Sequence, residues 1–170
     1  GTIDVKSVLG KGSTFIVTLK YKIADEKYYL NKQEENCEVD NKILDGKHIL
    51  LAEDNDLNAE IALTILERAG LFADRVKNGI ECVNKVIENP VGTYDVILMD
   101  IQMPRMNGFE ACKVIRSLPD DRNKLPIIAL TANAFEENRK DCLDAGMSEH
   151  VSKPIKIQSL LQTIGSVLKE

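Results

Sequence analysis

His48-Ile49-Leu50-Leu51-Ala52-Glu53-Asp54-Asn55 and Val96-Ile97-Leu98-Met99-Asp100-Ile101-Gln102-Met103-Pro104 are the two stretches that decide the fold. Each is a short, nearly continuous apolar run ending abruptly in carboxylates. A run of that length with no polar alternation is the pattern of a parallel strand covered on both faces. Three more runs share it: Leu71–Val76, Ile127–Leu130 and His150–Ser152. Amphipathic stretches with helical spacing follow them, at Leu57–Ala69, Gly79–Glu88, Phe109–Ser117, Phe135–Ala145 and Ile157–Lys169. Gly70 and Gly146 stand just past helix ends, where a left-handed residue is wanted, and Asp56 or Asn58 is placed to cap the first helix. Five strand–helix repeats predict an α/β fold, a doubly wound five-stranded parallel sheet of order 2-1-3-4-5 with right-handed crossovers.

Upstream, residues 1–23 alternate in strand fashion around Leu9-Gly10-Lys11-Gly12, with Ile3, Val5, Phe15, Val17, Leu19 and Tyr21 on one face, and predict a β-hairpin. Residues 24–45 carry seven acids and three lysines, the composition of a solvated linker. The α/β sheet domain is expected over 46–170. The chain opens at Gly1 without a Met and reads as a piece of something longer.

Composition narrows the function classes. The 170 residues are 44% hydrophobic and 29% charged, which is globular, and a net charge of -5 argues against nucleic acid or an anionic membrane as ligand. No apolar run is long enough to span a bilayer. Cys37, Cys82, Cys112 and Cys142 form no C-x-x-C pair, so free thiols in a reducing, cytoplasmic setting are expected rather than disulfides or zinc.

The polar residues at the strand ends carry the chemistry. Glu53 and Asp54 follow the first strand of the sheet, Asp100 the third, Thr131 the fourth and Lys153 the fifth. All strand ends of a parallel sheet lie at one edge, where ligands of such sheets bind. Three carboxylates held together must be relieved by a proton or a cation, and an all-oxygen cup suits Mg²⁺. A phosphoryl group in flight needs charge neutralisation, which a metal and the Lys153 ammonium supply, and a carboxylate can itself be the nucleophile.

Taken together, Leu51-Ala52-Glu53-Asp54-Asn55, Met99-Asp100-Ile101-Gln102-Met103-Pro104, Asn107-Gly108-Phe109-Glu110, Leu130-Thr131-Ala132 and Ser152-Lys153-Pro154-Ile155 resemble the response regulator receiver family over residues 46–169. The resemblance implies Asp100 as phospho-acceptor, with Glu53, Asp54, Asp100 and the carbonyl of Gln102 as Mg²⁺ ligands. It also implies Thr131 as the switch hydroxyl, Lys153 on a phosphate oxygen, and a cis bond before Pro154. The family's aromatic switch position holds His150, which is either a half-exposed strand residue or a titrating switch. Gly1–Ser7 with Gly10–Phe15 and Val17–Leu19 looks like the last hairpin of a histidine-kinase ATP-binding domain, so the order is that of a hybrid histidine kinase whose parent can be membrane-anchored. Gly10-Lys11-Gly12-Ser13-Thr14 is not a P-loop. The implied partners of the phosphorelay are a histidine phosphotransfer protein or the kinase's own histidine domain. Two other readings stay open: a haloacid-dehalogenase-like phosphohydrolase with Asp54 in Asp54-Asn55-Asp56 as nucleophile, and a pseudo-receiver used for docking alone.

Overall fold

Alternate residues of the central strands face opposite layers, and all but His48 and the strand-end Asp100 and Thr131 are apolar. This is why the sheet is buried on both sides. In the computed structural model, which describes residues 1–20, 41–132 and 141–169, the elements run β1 (Thr2–Val8), β2 (Gly12–Thr18), α1 (Asn41–Leu44), β3 (His48–Ala52), α2 (Asp56–Arg68), β4 (Phe72–Val76), α3 (Gly79–Glu88), β5 (Val96–Asp100), α4 (Gly108–Arg116), β6 (Ile127–Thr131), β7 (Glu149–Ser152) and α5 (Ile157–Val167). The five-stranded sheet has the order β4-β3-β5-β6-β7, all parallel, which is the predicted 2-1-3-4-5 counted from β3.

Leu50, Ala52, Ile97, Met99, Ile127 and Ala129 pack with Cys82, Val83 and Val86 of α3 and with Ala111, Cys112 and Ile115 of α4 on one face. Ile49, Leu51, Val96, Leu98, Ile128 and Leu130 pack on the other with Ala59, Ala62, Ile65 and Leu66 of α2 and Leu160, Ile164 and Val167 of α5. Cys82, Cys112 and Cys142 are buried free thiols, with burial pushing the Cys82 thiol up to about 12. Residues 133–140, which include the start of the helix expected at Phe135–Ala145, lie outside the described residues; 141–144 are helical. Among the described residues no helix is long and apolar enough to cross a membrane.

The helices after β3 and β5 each start one residue earlier than expected, at Asp56 and Gly108, and the cap of the first also differs. The first helix of the sheet domain is capped by Asn55, whose side chain accepts from the Leu57 and Asn58 amides, rather than by Asp56 or Asn58. The tight strand-to-helix turn puts the extended residue one position earlier than the apolar periodicity indicates. Gly70 and Gly146 take the predicted left-handed φ, at 80° and 90°, and the Lys153–Pro154 peptide is cis.

The chain divides into two compact units, Gly1–Cys37 and Glu38–Glu170. In the first, β1 and β2 form the expected antiparallel hairpin. Ile3 is opposite Val17 and Val5 opposite Phe15, so these four share a face; Tyr21 lies outside the described residues. The second unit begins inside the stretch read as linker. Leu44, at the end of α1, is fully buried in the core beside Ile49 and Leu66. A single apolar pair, Ile43-Leu44, was too small a signal against the surrounding charge to mark a docking turn in the sequence.

Candidate functional site

Each polar strand end is positioned by backbone bonds to the neighbouring strand. The Glu53 amide donates to the Val76 carbonyl (3.1 Å), that of Ile101 to Leu130 (3.3 Å) and that of Lys153 to Thr131 (2.7 Å). These bonds carry the sheet register one residue past the apolar runs, so the side chains that follow converge at the carboxyl edge. Glu53, Asp54, Asp100, Gln102, Thr131 and Lys153 all line one open cleft of about 770 Å³, together with Asn58, Ile101 and Phe109.

Carboxylate oxygens of Glu53, Asp54 and Asp100 lie within 4.8 Å of one another. Glu53 is buried to 1% exposure and Asp100 to 6%, whereas Asp54 is exposed. The Lys153 ammonium donates to Glu53 Oε2 at 2.6 Å and to Asp100 Oδ2 at 2.7 Å, spanning the two buried carboxylates. The remaining oxygens are also held: Asp100 Oδ1 accepts from the Gln102 amide at 3.1 Å, and Glu53 Oε1 from the Asn58 side-chain amide at 3.1 Å. Burial raises the Asp100 carboxyl above its usual range, against the pull of Lys153 and the Gln102 amide. Burial alone would lower Lys153, but hydrogen bonds and charge from Asp100 and Glu53 outweigh it and raise the ammonium, which therefore stays charged.

The loop after β5 is built to present Asp100. The Gly108 amide donates to the Ile101 carbonyl (3.0 Å), and Asn107 and Glu110 form a reciprocal capping box at the start of α4. A Cβ on Gly108 would collide with the Asp100 carbonyl, so only glycine lets the helix approach the strand end this closely. Arg105, in the same loop, has φ of 67°, a left-handed position that a non-glycine residue rarely takes.

Thr131, the last residue of β6, is buried at the cleft wall. His150 pairs with Ala129 across the sheet, and its Nδ1 lies 2.9 Å from the Glu149 carboxylate; it is not among the described residues lining the cleft. Two further contributors were not read as site residues in the sequence, where Asn58 was considered only as a helix cap. Asn58 holds Glu53 because it lies on the first turn of α2, which only the cap position reveals. Arg75 reaches across from β4 to the carbonyls of Glu53 and Asp54.

The response regulator receiver domain model matches residues 49–165. The chain belongs to the response regulator receiver family. Among curated relatives it is 39% identical over 125 residues to peroxide stress-activated histidine kinase mak1 of Schizosaccharomyces pombe, covering 72% of this chain and 8% of that protein. It is 38% identical over 146 residues to hybrid signal transduction histidine kinase L of Dictyostelium discoideum, covering 80% and 8%. This receiver chain therefore spans under a tenth of the length of those two relatives. Among solved structures it resembles the receiver domain of sensor histidine kinase PA1611 from Pseudomonas aeruginosa, a structure with a magnesium ion in its active-site cleft. The TM-score is 0.67 at 35% identity, over 74% of this chain and 99% of that one. It also resembles a Saccharomyces cerevisiae structure of the phosphotransfer protein Ypd1 with the receiver domain of Ssk1, at TM-score 0.64 and 28% identity, over 71% and 87%. The receiver is thus a two-component signalling domain of the kind found in hybrid histidine kinases.

Proposed function

We propose that this receiver takes a phosphoryl group from a phosphohistidine onto Asp100. One observation carries the assignment. Two buried carboxylates, Glu53 and Asp100, share a single lysine at 2.6 and 2.7 Å, beside a third, exposed carboxylate, Asp54. Three negative charges against one positive leave a net charge that a divalent cation would balance, and the donors are all oxygen, as Mg²⁺ prefers. Glu53, Asp54, Asp100 and the Gln102 carbonyl would hold it, and when bound it would supply charge neutralisation for the phosphoryl oxygens.

This chain's own residues do the rest. Asp100 Oδ attacks phosphorus; the N–P bond to the donor histidine breaks as the O–P bond forms, and the imidazole leaves with the bonding pair. Lys153 is already at the acceptor oxygen and follows the charge onto the new phosphoryl group. Thr131, at the opposite wall, donates to a further oxygen and so transmits the change to β6. His150, one strand away, is the residue through which β7 would respond. Of the other two readings, a phosphohydrolase using Asp54 sits poorly with an exposed Asp54 that Lys153 does not touch, and a docking pseudo-receiver does not call for the complete polar set that the cleft retains.

The donor would be a histidine phosphotransfer protein or the histidine domain of a parent kinase, at the cytoplasmic side, where buried free thiols are stable. Leu57 and Ile61 of α2 are exposed, and Ile61, Pro154 and Ile155 line a small apolar hollow that shares Asn58 and Lys153 with the cleft. Such a rim suits the apolar face of a helix carrying the donor histidine. Residues 1–23 would be the closing hairpin of that kinase's ATP-binding domain, with 24–45 as linker and 46–170 as receiver. The test is transfer from a radiolabelled histidine phosphotransfer protein. Label should move to the wild-type chain within the assay and stay on the donor with Asp100→Asn; transfer undiminished by Asp100→Asn would refute the assignment.

A further inference from the structure

Arg75 does something no strand-edge arginine needs to do. It stands on β4 opposite Leu51 of β3, with its side chain only 20% exposed. Its Nε and Nη2 donate to the Glu53 carbonyl at 3.1 and 3.0 Å, and Nη2 also donates to the Asp54 carbonyl at 3.2 Å. The same Nη2 lies 2.8 Å from Asp56 Oδ1, which Lys77 also contacts at 3.0 Å. One planar guanidinium therefore ties the backbone carbonyls of Glu53 and Asp54 to the side-chain carboxylate of Asp56, and it binds the carbonyls of Glu53 and Asp54 rather than their carboxylates.

The consequence is geometric. Among the described residues, the backbone of the turn between β3 and α2 is otherwise held by the Glu53 amide bond to Val76 and the Asn55 cap, with Asn58 and Lys77 reaching the side chains of Glu53 and Asp56. With its carbonyls gripped from the β4 side, the two side chains are directed to the opposite side, toward Asp100. Asp56, shared with Lys77, offsets part of the guanidinium charge, and the fork's donors are committed to carbonyls on the side away from the cup. A lysine could restore the charge but not the fork, because an ammonium cannot present fixed, parallel donors to two carbonyls.

We propose that Arg75 is a positioning residue for the cation cup, setting the backbone of Glu53 and Asp54 so that their carboxylates meet Asp100. This rests on the reading of the cleft as a Mg²⁺ site. Outer-shell partners of metal ligands typically change affinity by about 10–100-fold when removed. The experiment titrates Mg²⁺ into the full 170-residue chain by calorimetry, for wild type, Arg75→Met and Arg75→Lys, at urea-free conditions where each variant is shown by circular dichroism to be folded. Both variants should bind Mg²⁺ about tenfold more weakly. In acetyl phosphate labelling the half-saturating Mg²⁺ concentration should rise by the same factor, with the rate at saturating Mg²⁺ unchanged within twofold.

Affinities within twofold of wild type, in folded variants of lowered stability, would mean that Arg75 serves the fold alone, and the proposal fails. Tighter binding by Arg75→Met would show charge repulsion to dominate, which also overturns it, as would wild-type affinity in Arg75→Lys. Should Arg75→Met not fold, Arg75→Lys alone decides. A wild-type chain that binds no Mg²⁺ would instead bring down the reading of the cleft, and this inference with it.

Discussion

Replacing Lys153 with methionine removes the one positive charge that, among the described residues, bonds both buried carboxylates, while preserving most of the side chain's volume. Glu53 is 1% exposed at its side chain, Asp100 9% and Lys153 17%, so solvent does little to screen them. With carboxylate oxygens no more than 4.8 Å apart, two unit charges at an effective dielectric of about 20 repel by about 3 kcal/mol. The loss has a ceiling. Where the repulsion would exceed that, one carboxyl takes up a proton instead, which caps the cost. A loss of about 3–4 kcal/mol matches the range for breaking a buried pair. At a urea dependence of about 2 kcal/mol/M it moves the unfolding midpoint in EDTA down by about 1.5–2 M. Mg²⁺ should then rescue the variant more than it stabilises wild type, because in wild type the cation competes with Lys153 for the same oxygens. At about 100 times its dissociation constant a ligand returns about 2.7 kcal/mol. Urea unfolding of both chains, in EDTA and in saturating Mg²⁺, gives the four midpoints. Equal midpoints in EDTA, or an equal Mg²⁺ shift in both chains, would refute this account of the cluster.

Gly108→Ala should destabilise the chain by about 1–3 kcal/mol, since its Cβ must displace the Asp100 carbonyl. Gly165→Ala, in α5 with nothing within 4 Å of the new methyl, should be neutral or stabilising by up to about 1 kcal/mol. Chemical denaturation of the two alanine variants checks the contrast. Alkylation mapped by peptide mass spectrometry should leave Cys82 and Cys112 unmodified in the native chain and modify both in urea, because burial keeps them as thiols. The Tyr94 hydroxyl donates to Asp74 Oδ2 at 2.6 Å and, against the opposing effect of burial, lowers that carboxyl. A depressed carboxylate contributes stability above its unfolded value that is lost as pH falls through the folded one. The difference in stability between wild type and Tyr94→Phe should therefore be larger at pH 7 than below pH 3, measured by urea unfolding at both.

Much of this was legible because the chemistry is concentrated at chain positions that repeat. An apolar run ending in a carboxylate marks both a buried parallel strand and its functional edge, so Glu53, Asp54, Asp100, Thr131 and Lys153 could be placed together before any geometry was known. What sequence could not show was the support. Arg75 sits in Phe72-Ala73-Asp74-Arg75-Val76, where an arginine on a moderately apolar strand reads as solvated; only the β3–β4 register aims it at the acidic turn. Asn58 was read as a possible cap, and only with Asn55 in that place does its side chain fall free to hold Glu53. Leu44 belongs to the core although it follows an acidic stretch, because burial of one short turn needs only one anchoring side chain.

The central claim is that Asp100, and not the neighbouring Asp54, forms the acyl phosphate. The direct test is to incubate the chain with acetyl phosphate and Mg²⁺, trap the product by borohydride reduction, and locate the reduced residue by mass spectrometry. The account predicts homoserine at position 100, absent without Mg²⁺ and absent in Asp100→Asn. Reduction at position 54, or labelling that persists at full level in Asp100→Asn, would contradict it.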